Sequence, residues 1–225
     1  MEDPFSLMTI PGKIETKNDI YQCLKNWIIY SDLKPGEPIK ERNLSSLFNI
    51  SRTSLREILQ LLSYQRLVVI KPRKGVFVAP IDIILIKAVF ETRLPLEKRA
   101  VALVAARRSK EDVLELERLI KALKAALKNN NPEGFIRLDQ KYHETMGRMT
   151  RNPVMAESLE ALHNPCLRYW FLNRQTFEPY KETFTELQHL TQAIKDKNPD
   201  LATQLNGIHV SGFLALLNAG KSKNC

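Results

Sequence analysis

The sequence is poor in glycine and cysteine, and it lacks long apolar runs. Its 225 residues include only 8 glycines and 3 cysteines. Low glycine disfavours loop-rich all-β folds and favours helices, and widely spaced cysteines are typical of reduced thiols. No window approaches the roughly 20 uncharged apolar residues of a membrane span, and the acidic start at Glu2 and Asp3 is unlike a secretory signal. We therefore expect a mostly α-helical, cytoplasmic protein with no membrane partner.

Positive charge is in excess and is concentrated near the start of the chain. The formal net charge is +9. Residues 17–80 contain 11 Lys and Arg but only 5 Asp and Glu. Such an excess favours a polyanionic partner for this part of the chain.

Residues 17–80 combine three helical apolar patterns with one alternating pattern. The second and third helical patterns flank a tight turn at Asn49-Ile50-Ser51. Alternating β-branched residues on both sides of Pro72-Arg73-Lys74-Gly75 predict a β-hairpin with a basic tip. Three small helices and a basic hairpin predict a winged helix-turn-helix domain over residues 17–80, after a flexible tail at residues 1–16.

The third of these helices begins with side chains suited to a phosphate backbone. Ser51 occupies the predicted N-cap, so the free N–H groups of the first turn can receive a phosphate. Arg56 lies one turn further along the polar face, and arginine is well shaped to read guanine in a major groove. A merely solvated polar face is the alternative, but charge, spacing and hairpin together favour DNA. The predicted DNA contacts of the helix pair are Arg42, Arg52, Thr53, Ser54 and Arg56.

The remainder of the chain is almost wholly helical in pattern. Pro80 breaks the preceding strand, residues 81–83 form a predicted linker, and Asp82 can cap the helix that follows. Apolar stripes over residues 84–225 predict an antiparallel bundle of about six helices. The predicted breaks or helix starts in this bundle are Asn129-Asn130-Asn131-Pro132, Asn152-Pro153, Asn164-Pro165 and Asn198-Pro199.

One carboxylate and three imidazoles of the bundle can share a metal ion. Asp139 and His143 are four residues apart on one predicted helix, so they project from the same face. His189 and His209 lie on two later helices. The donor set suits Zn²⁺, and also Mn²⁺, Ni²⁺ or Fe²⁺. The alternative for each His is a hydrogen-bonded core residue, and His163 is interpreted as structural or exposed.

The residues quoted so far resemble two known protein families. Residues 51–59, with Leu33-Lys34-Pro35-Gly36 before them and Gly75-Val76-Phe77-Val78 after them, resemble the GntR family of bacterial transcription regulators. Departures at Ser54, Ile58 and Arg66, where the family usually has Pro, Ala and Gly, resemble its fatty-acid-responsive FadR branch. Residues 139–143 and 186–189 resemble the FCD domain, the helical effector domain of many GntR regulators. The resemblance implies a mostly α fold with a winged helix-turn-helix and an FCD-like bundle.

The resemblance also implies roles for individual residues. Lys74 and Gly75 would reach the minor groove from the tip of the hairpin. Asp139, His143, His189 and His209 match the ligand pattern of the metal site. The effectors of the family are commonly small organic acids, so Arg93 is a candidate carboxylate clamp. A salt bridge from Arg93 to Glu97 is the equally weighted alternative.

Three further inferences complete the expectations for the bundle. Asn152 could add an amide contact to the effector. Pro95 is expected to bend its helix. The bundle is expected to supply a homodimer interface, because two half-sites give an operator its specificity.

The expected function is ligand-controlled binding to a palindromic double-stranded DNA operator. Two alternatives stay open, namely a mononuclear metal enzyme that uses the same four ligands as a Lewis acid site and a regulator whose metal is purely structural. An enzyme is disfavoured because the sequence shows no convincing general base, nucleophile elbow or cofactor loop.

Overall fold

A computed structural model describes residues 14–175 and 180–219. Most of the predicted tail and Cys225 lie outside the described residues. The chain divides into two compact units, residues 1–81 and 82–225. Cys23 and Cys166 are buried free thiols. Over the described ranges, no helix has the length and hydropathy needed to cross a membrane.

The first unit contains three helices and a small antiparallel sheet, which confirms the winged helix-turn-helix prediction. Strand β3 lies between β1 and β2, and Val69 pairs with Phe77 in the hairpin. The short strand β1 was not predicted, because two residues are too few for an alternating pattern. The elements are α1 (Lys17–Ile29), β1 (Pro38–Ile39), α2 (Glu41–Leu47), α3 (Arg52–Tyr64), β2 (Val68–Lys71) and β3 (Gly75–Val78).

Local sequence determines where helices α1 and α3 begin and end. Thr16 and Asp19 form a capping box at the start of α1. The Ser51 hydroxyl oxygen accepts from the backbone N–H of Ser54 at the start of α3, as expected for an N-cap. The end of α3 has Arg66 at φ +60°, in the left-handed region that favours glycine.

The second unit is a bundle of six helices over the described residues, which confirms the second half of the fold prediction. Asp82 caps α4, with its carboxylate accepting from the N–H groups of Ile84 and Leu85. Asn131 and Asn152 cap two of the three helices in this unit that begin with proline. The helices are α4 (Ile83–Arg107), α5 (Lys110–Lys128), α6 (Pro132–Met149), α7 (Pro153–Leu172), α8 (Tyr180–Lys195) and α9 (Pro199–Ala219).

Two prolines lie inside helices of this bundle. The prediction of a break or helix start at Asn164-Pro165 was wrong, because α7 continues through Pro165. A proline in a helix interior costs about 3 kcal/mol. Residues 163–168 are all buried, and their packing outweighs this cost. Helix α4 likewise continues through Pro95.

Candidate metal centre and nucleic-acid interface

Helices α2 and α3 present an exposed polar face. Arg52 and Thr53 are exposed in the first turn of α3, while Ser54 is half-buried. Arg42 is exposed on α2. This arrangement of hydroxyl, guanidinium and free backbone N–H groups can bind a phosphate.

Arg56 forms an ion pair across the turn between these helices. Its Nε donates to Glu41 Oε2 at 2.9 Å, although 71% of its side chain is exposed. An exposed pair of this kind contributes little to stability, with a median of about 0 to 1 kcal/mol. The guanidinium can therefore exchange Glu41 for another partner at low cost.

The tip of the β2–β3 hairpin is basic and exposed. Lys74 and Gly75 lie at the tip, and Gly75 has φ +103°. Lys71 lies over the Phe77 ring, with Nζ 4.9 Å from the ring centroid. A tip of this shape and charge can approach a nucleic-acid groove.

Asp139, His143 and His163 form a compact cluster inside the second unit. One ligand atom from each residue lies within 4.8 Å of the other two. His143 Nε2 is 3.8 Å from Asp139 Oδ1, and His163 Nε2 is 3.9 Å from Asp139 Oδ2. These separations are too long for hydrogen bonds. They suit a shared ion, because two ligands about 2.1 Å from one metal lie roughly 3 to 4 Å apart.

The buried carboxylate of this cluster is incompletely paired. Asp139 is 1% exposed, and its Oδ1 has no hydrogen-bond partner in the part of the chain that the structure describes. Burial raises the pKa of Asp139 to about 7. A buried carboxylate oxygen without a donor is costly. A cation at this position removes that cost, so the residues present fit a metal ion.

The imidazoles around Asp139 have the properties of metal ligands. Burial lowers the pKa of His143 to about 3, so this ring is neutral, as a ligand must be. The His209 ring stacks on His143 with centroids 5.7 Å apart. His209 Nδ1 lies 2.9 Å from Glu186 Oε2, which leaves Nε2 available. A carboxylate on the second ring nitrogen is usual for metal-bound histidines.

His189 does not join this cluster, and the predicted ligand set requires a correction. Leu187, Leu190 and Thr191 are buried on the inner face of α8, whereas His189 is exposed. His189 follows Leu187 by two residues, a rotation of about 200° around a helix, so it points to the opposite side. The structure instead brings in His163 from α7, although the sequence pattern favoured a structural or exposed role for this residue. His163 lies three residues after Glu160, on a helical face that also carries Leu159 and Leu167. This spacing was the signal in the sequence that His163 could point into the bundle.

Arg93 is buried and engaged by its own helix. It is 4% exposed, its Nε donates to Glu97 Oε1 at 2.8 Å, and its Nη2 donates to the same oxygen. Of the two predicted roles, the geometry supports the salt bridge to Glu97. Asn152 caps α7, accepting from the Met155 N–H at 3.2 Å, and is not among the residues around either cavity described next.

Two cavities border the cluster. The smaller, of about 30 Å³, is lined by Asp139, His143, His163 and His209 and has room for an ion and about one water molecule. The larger, of about 230 Å³, has room for a small metabolite. His143 and His163 line both cavities. An ion in the smaller cavity would therefore lie beside a molecule in the larger one.

Comparison with known proteins assigns each of the two units to a protein family. The sequence profile of the FCD domain matches residues 88–212, and that of bacterial regulatory proteins of the gntR family matches residues 16–78. The chain belongs to the GntR family, with an FCD domain. Like its relatives, it is a DNA-binding transcriptional regulator and not an enzyme. This confirms the predicted protein class.

Individual relatives agree with the family over most of their length. The HTH-type transcriptional regulator YdhC of Bacillus subtilis (strain 168) is 29% identical over 186 residues, covering 82% of this chain and 83% of YdhC. The galactonate operon transcriptional repressor of Escherichia coli (strain K12) is 26% identical over 200 residues, covering 79% of this chain and 86% of the repressor. The solved structure of E. coli McbR/YncC superposes with a TM-score of 0.78 at 21% identity, covering 93% of this chain and 100% of McbR/YncC. The last similarity concerns the fold alone.

Proposed function

We propose that this GntR regulator binds a palindromic operator as a homodimer and that a small-molecule effector, bound beside a metal ion, controls its operator affinity. The observation that carries the proposal is the buried, unsatisfied Oδ1 of Asp139 among imidazoles at the wall of a metabolite-sized cavity. A change of 1 to 3 kcal/mol in coupling free energy changes operator affinity about 5- to 150-fold.

The DNA contacts of this proposal lie on the first unit. Helix α3 enters the major groove with Arg52, Thr53 and Arg56, and Arg42 and Ser54 hold phosphates. The hairpin tip with Lys74 and Gly75 follows the minor groove. All of these residues except the half-buried Ser54 are exposed, which supports the assignment.

The metal ligands of this proposal are Asp139, His143 and His163, with His209 as the fourth candidate. A set of imidazoles with one carboxylate favours Zn²⁺, and Mn²⁺, Ni²⁺ or Fe²⁺ also accept it. These side chains would hold the ion, and the ion would accept an oxygen of an effector bound in the neighbouring larger cavity. A carboxylate is a suitable donor, and one relative is named for the operon of galactonate, a carboxylate.

Two histidine substitutions test the ligand set. We expect His163→Ala to lower the metal-to-protein ratio of the purified dimer at least tenfold, because it removes one of three ligands that converge on Asp139. His189→Ala is the matched control and should keep the wild-type ratio, since His189 is exposed. Metal analysis by mass spectrometry measures both. Loss of metal in His189→Ala with retention in His163→Ala would restore the ligand set expected from the sequence and overturn this one.

The same variants test the link to DNA. Operator affinity is measured by fluorescence anisotropy with the DNA upstream of the gene, with and without added metal. In the wild type and in His189→Ala, we expect added metal to change the effect of cell-extracted small molecules on operator affinity. In His163→Ala, we expect added metal to leave that effect unchanged. An identical response in all three proteins would refute control through this site.

A further inference from the structure

We propose that Arg168, inside the bundle of the second unit, binds a small oxyanion that enters from the larger cavity. The ligand is a carboxylate of an effector or a free inorganic phosphate, since both present oxygens that a guanidinium binds in pairs. The site goes beyond the proposed function, because it requires no metal ion and does not use the cluster around Asp139.

Arg168 is a buried cation without a partner in the part of the chain that the structure describes. The residue is 2% exposed, and neither its Nε nor its Nη2 has a hydrogen-bond partner there. Burial alone lowers the pKa of Arg168 to about 10, so the guanidinium stays charged near neutral pH. A carboxylate beside it would raise this pKa instead. An enclosed charge with unmatched donors is costly, and a bound anion removes that cost.

Arg93 and Arg107 show how the same bundle satisfies other guanidinium groups. Arg93 is 4% exposed, and two of its nitrogens donate to Glu97 Oε1. Arg107 Nη1 donates to the backbone carbonyl oxygen of Thr150 at the end of α6. The buried Nε and Nη2 of Arg168 have neither kind of acceptor among the described residues. A ligand with anionic oxygens supplies the acceptor that these two nitrogens lack.

The wall of the larger cavity lies one helical turn from Arg168. Asn164 lines this cavity and precedes Arg168 by four residues on α7, so the two residues share a face with Cβ atoms about 5 to 6 Å apart. Side chains of a helix lean toward its N-terminus and cover the preceding turn. The Arg168 side chain is therefore directed toward Asn164. Arg168 is not itself part of the lining, so an anion in the cavity reaches it past Asn164.

Arg148 is the alternative anion-binding residue at this cavity. It belongs to the lining, but 55% of its side chain is exposed, and its Nη2 donates to Glu115 Oε1 at 2.7 Å. Solvent and Glu115 already stabilise this charge, so an added ion pair there gains little. The unmatched donors of Arg168 gain more from an anion, and we therefore assign the site to Arg168.

Anion titrations of matched variants test this assignment. Full-length protein, dialysed into chloride-free buffer, is titrated with acetate, succinate, glutarate and inorganic phosphate, with and without added Zn²⁺, and binding is followed by thermal shift and calorimetry. We expect at least one anion to raise the wild-type Tm by about 5 °C at saturation. Arg168→Met should bind that anion at least tenfold more weakly. Its Tm without anions should equal or exceed that of the wild type, because the substitution removes an uncompensated buried charge.

Arg118→Met is the control for the change in net charge. It removes the same charge from an exposed position of α5 and should bind anions as the wild type does. Loss of the response in Arg168→Met alone supports the site. A response to the acids only in the presence of Zn²⁺ then identifies an effector carboxylate, and a response to phosphate without Zn²⁺ identifies a free ion.

Three results would overturn the inference. A lower Tm of anion-free Arg168→Met would show that the protein itself supplies a partner for this guanidinium. Loss of the response in Arg148→Met but not in Arg168→Met would place the anion at Arg148. The third result is the absence of any anion response in the wild type. Each of these leaves the proposed metal centre in place, because metal content is measured separately.

Discussion

Arg66 is a residue whose backbone geometry conflicts with its side chain. It ends α3 at φ +60°, its N–H donates to Ser63 O, and the N–H of Leu67 donates to Leu62 O. These two bonds form a Schellman motif, in which glycine is the preferred residue at the position of Arg66. Any residue with a Cβ is strained there, and Arg66 is exposed, so its side chain gains little from packing.

We therefore expect Arg66→Gly to raise the free energy of unfolding by about 0.5 to 1 kcal/mol. Urea denaturation followed by circular dichroism measures the change. Gln60→Gly, on the exposed face inside α3, is the control and should lower the free energy of unfolding by about 1 kcal/mol. Destabilisation by both substitutions would show that the left-handed conformation of Arg66 is not the source of strain.

Residue patterns predicted some members of the candidate site better than others. Asp139 and His143 followed from their spacing on one helix, because a separation of four residues fixes a common face. His163 and His189 could not be ranked in this way, since their helices are far apart in sequence and only packing decides which side faces Asp139. Arg93 had two plausible partners within reach, and burial selects Glu97 because a buried guanidinium needs a nearby carboxylate.

At the scale of elements, α2 and α3 are linked by an ion pair that engages one of the proposed DNA contacts. Glu41 on α2 holds the exposed Arg56 of α3 through one ion pair. The carboxylate also adds negative charge to a face that would approach phosphates. Under the proposed DNA contacts, Arg56 would have to leave Glu41 or share its charge with it when DNA binds.

We expect Glu41→Gln to increase affinity for double-stranded DNA about threefold to tenfold, with the gain largest at low salt, because long-range attraction to phosphates is screened by salt. Fluorescence anisotropy across a salt series measures this. The control is Glu57→Gln, which removes the same charge from α3 but breaks a pair with Lys17 on α1; its effect should be smaller. Equal gains from both variants would show that net charge alone, and not the release of Arg56, sets the affinity.

The order and type of the elements could largely be predicted, whereas two details could not. Helical periods, caps and the basic turn indicated the three helices, the hairpin and the bundle. Strand β1 depends on pairing with β3, which local sequence does not encode. Helix α7 passes through Pro165 because burial of its neighbours overrides a local signal to stop.

At the scale of the whole molecule, the second unit has a core that includes many residues outside the candidate metal cluster. Leu116, Leu123, Ile136 and Ile194 are fully buried at 0% exposure, and Tyr142 Oη is hydrogen-bonded to Thr191 Oγ1 at 2.9 Å. None of these contacts includes the cluster around Asp139. The bundle should therefore stay folded when the metal is removed.

Chelation tests this expectation. An ion present at about 100 times its Kd adds about 2.7 kcal/mol to stability, so its removal should lower the Tm by about 5 to 10 °C. Far-UV circular dichroism at 25 °C should be unchanged. Metal restored to the chelated protein should return the original Tm. Loss of helical signal on chelation would instead support the alternative of a purely structural metal.

Two imidazole rings, those of His143 and His163, line both the ion-sized and the metabolite-sized cavities. Any shift of these rings that improves contact with one occupant also changes contact with the other, and thermodynamic reciprocity requires each occupant to alter the affinity of the other by the same factor. Under the proposed function, a cell starved of the metal would respond weakly even to abundant metabolite. Gene expression would then report the joint supply of a nutrient and a trace element.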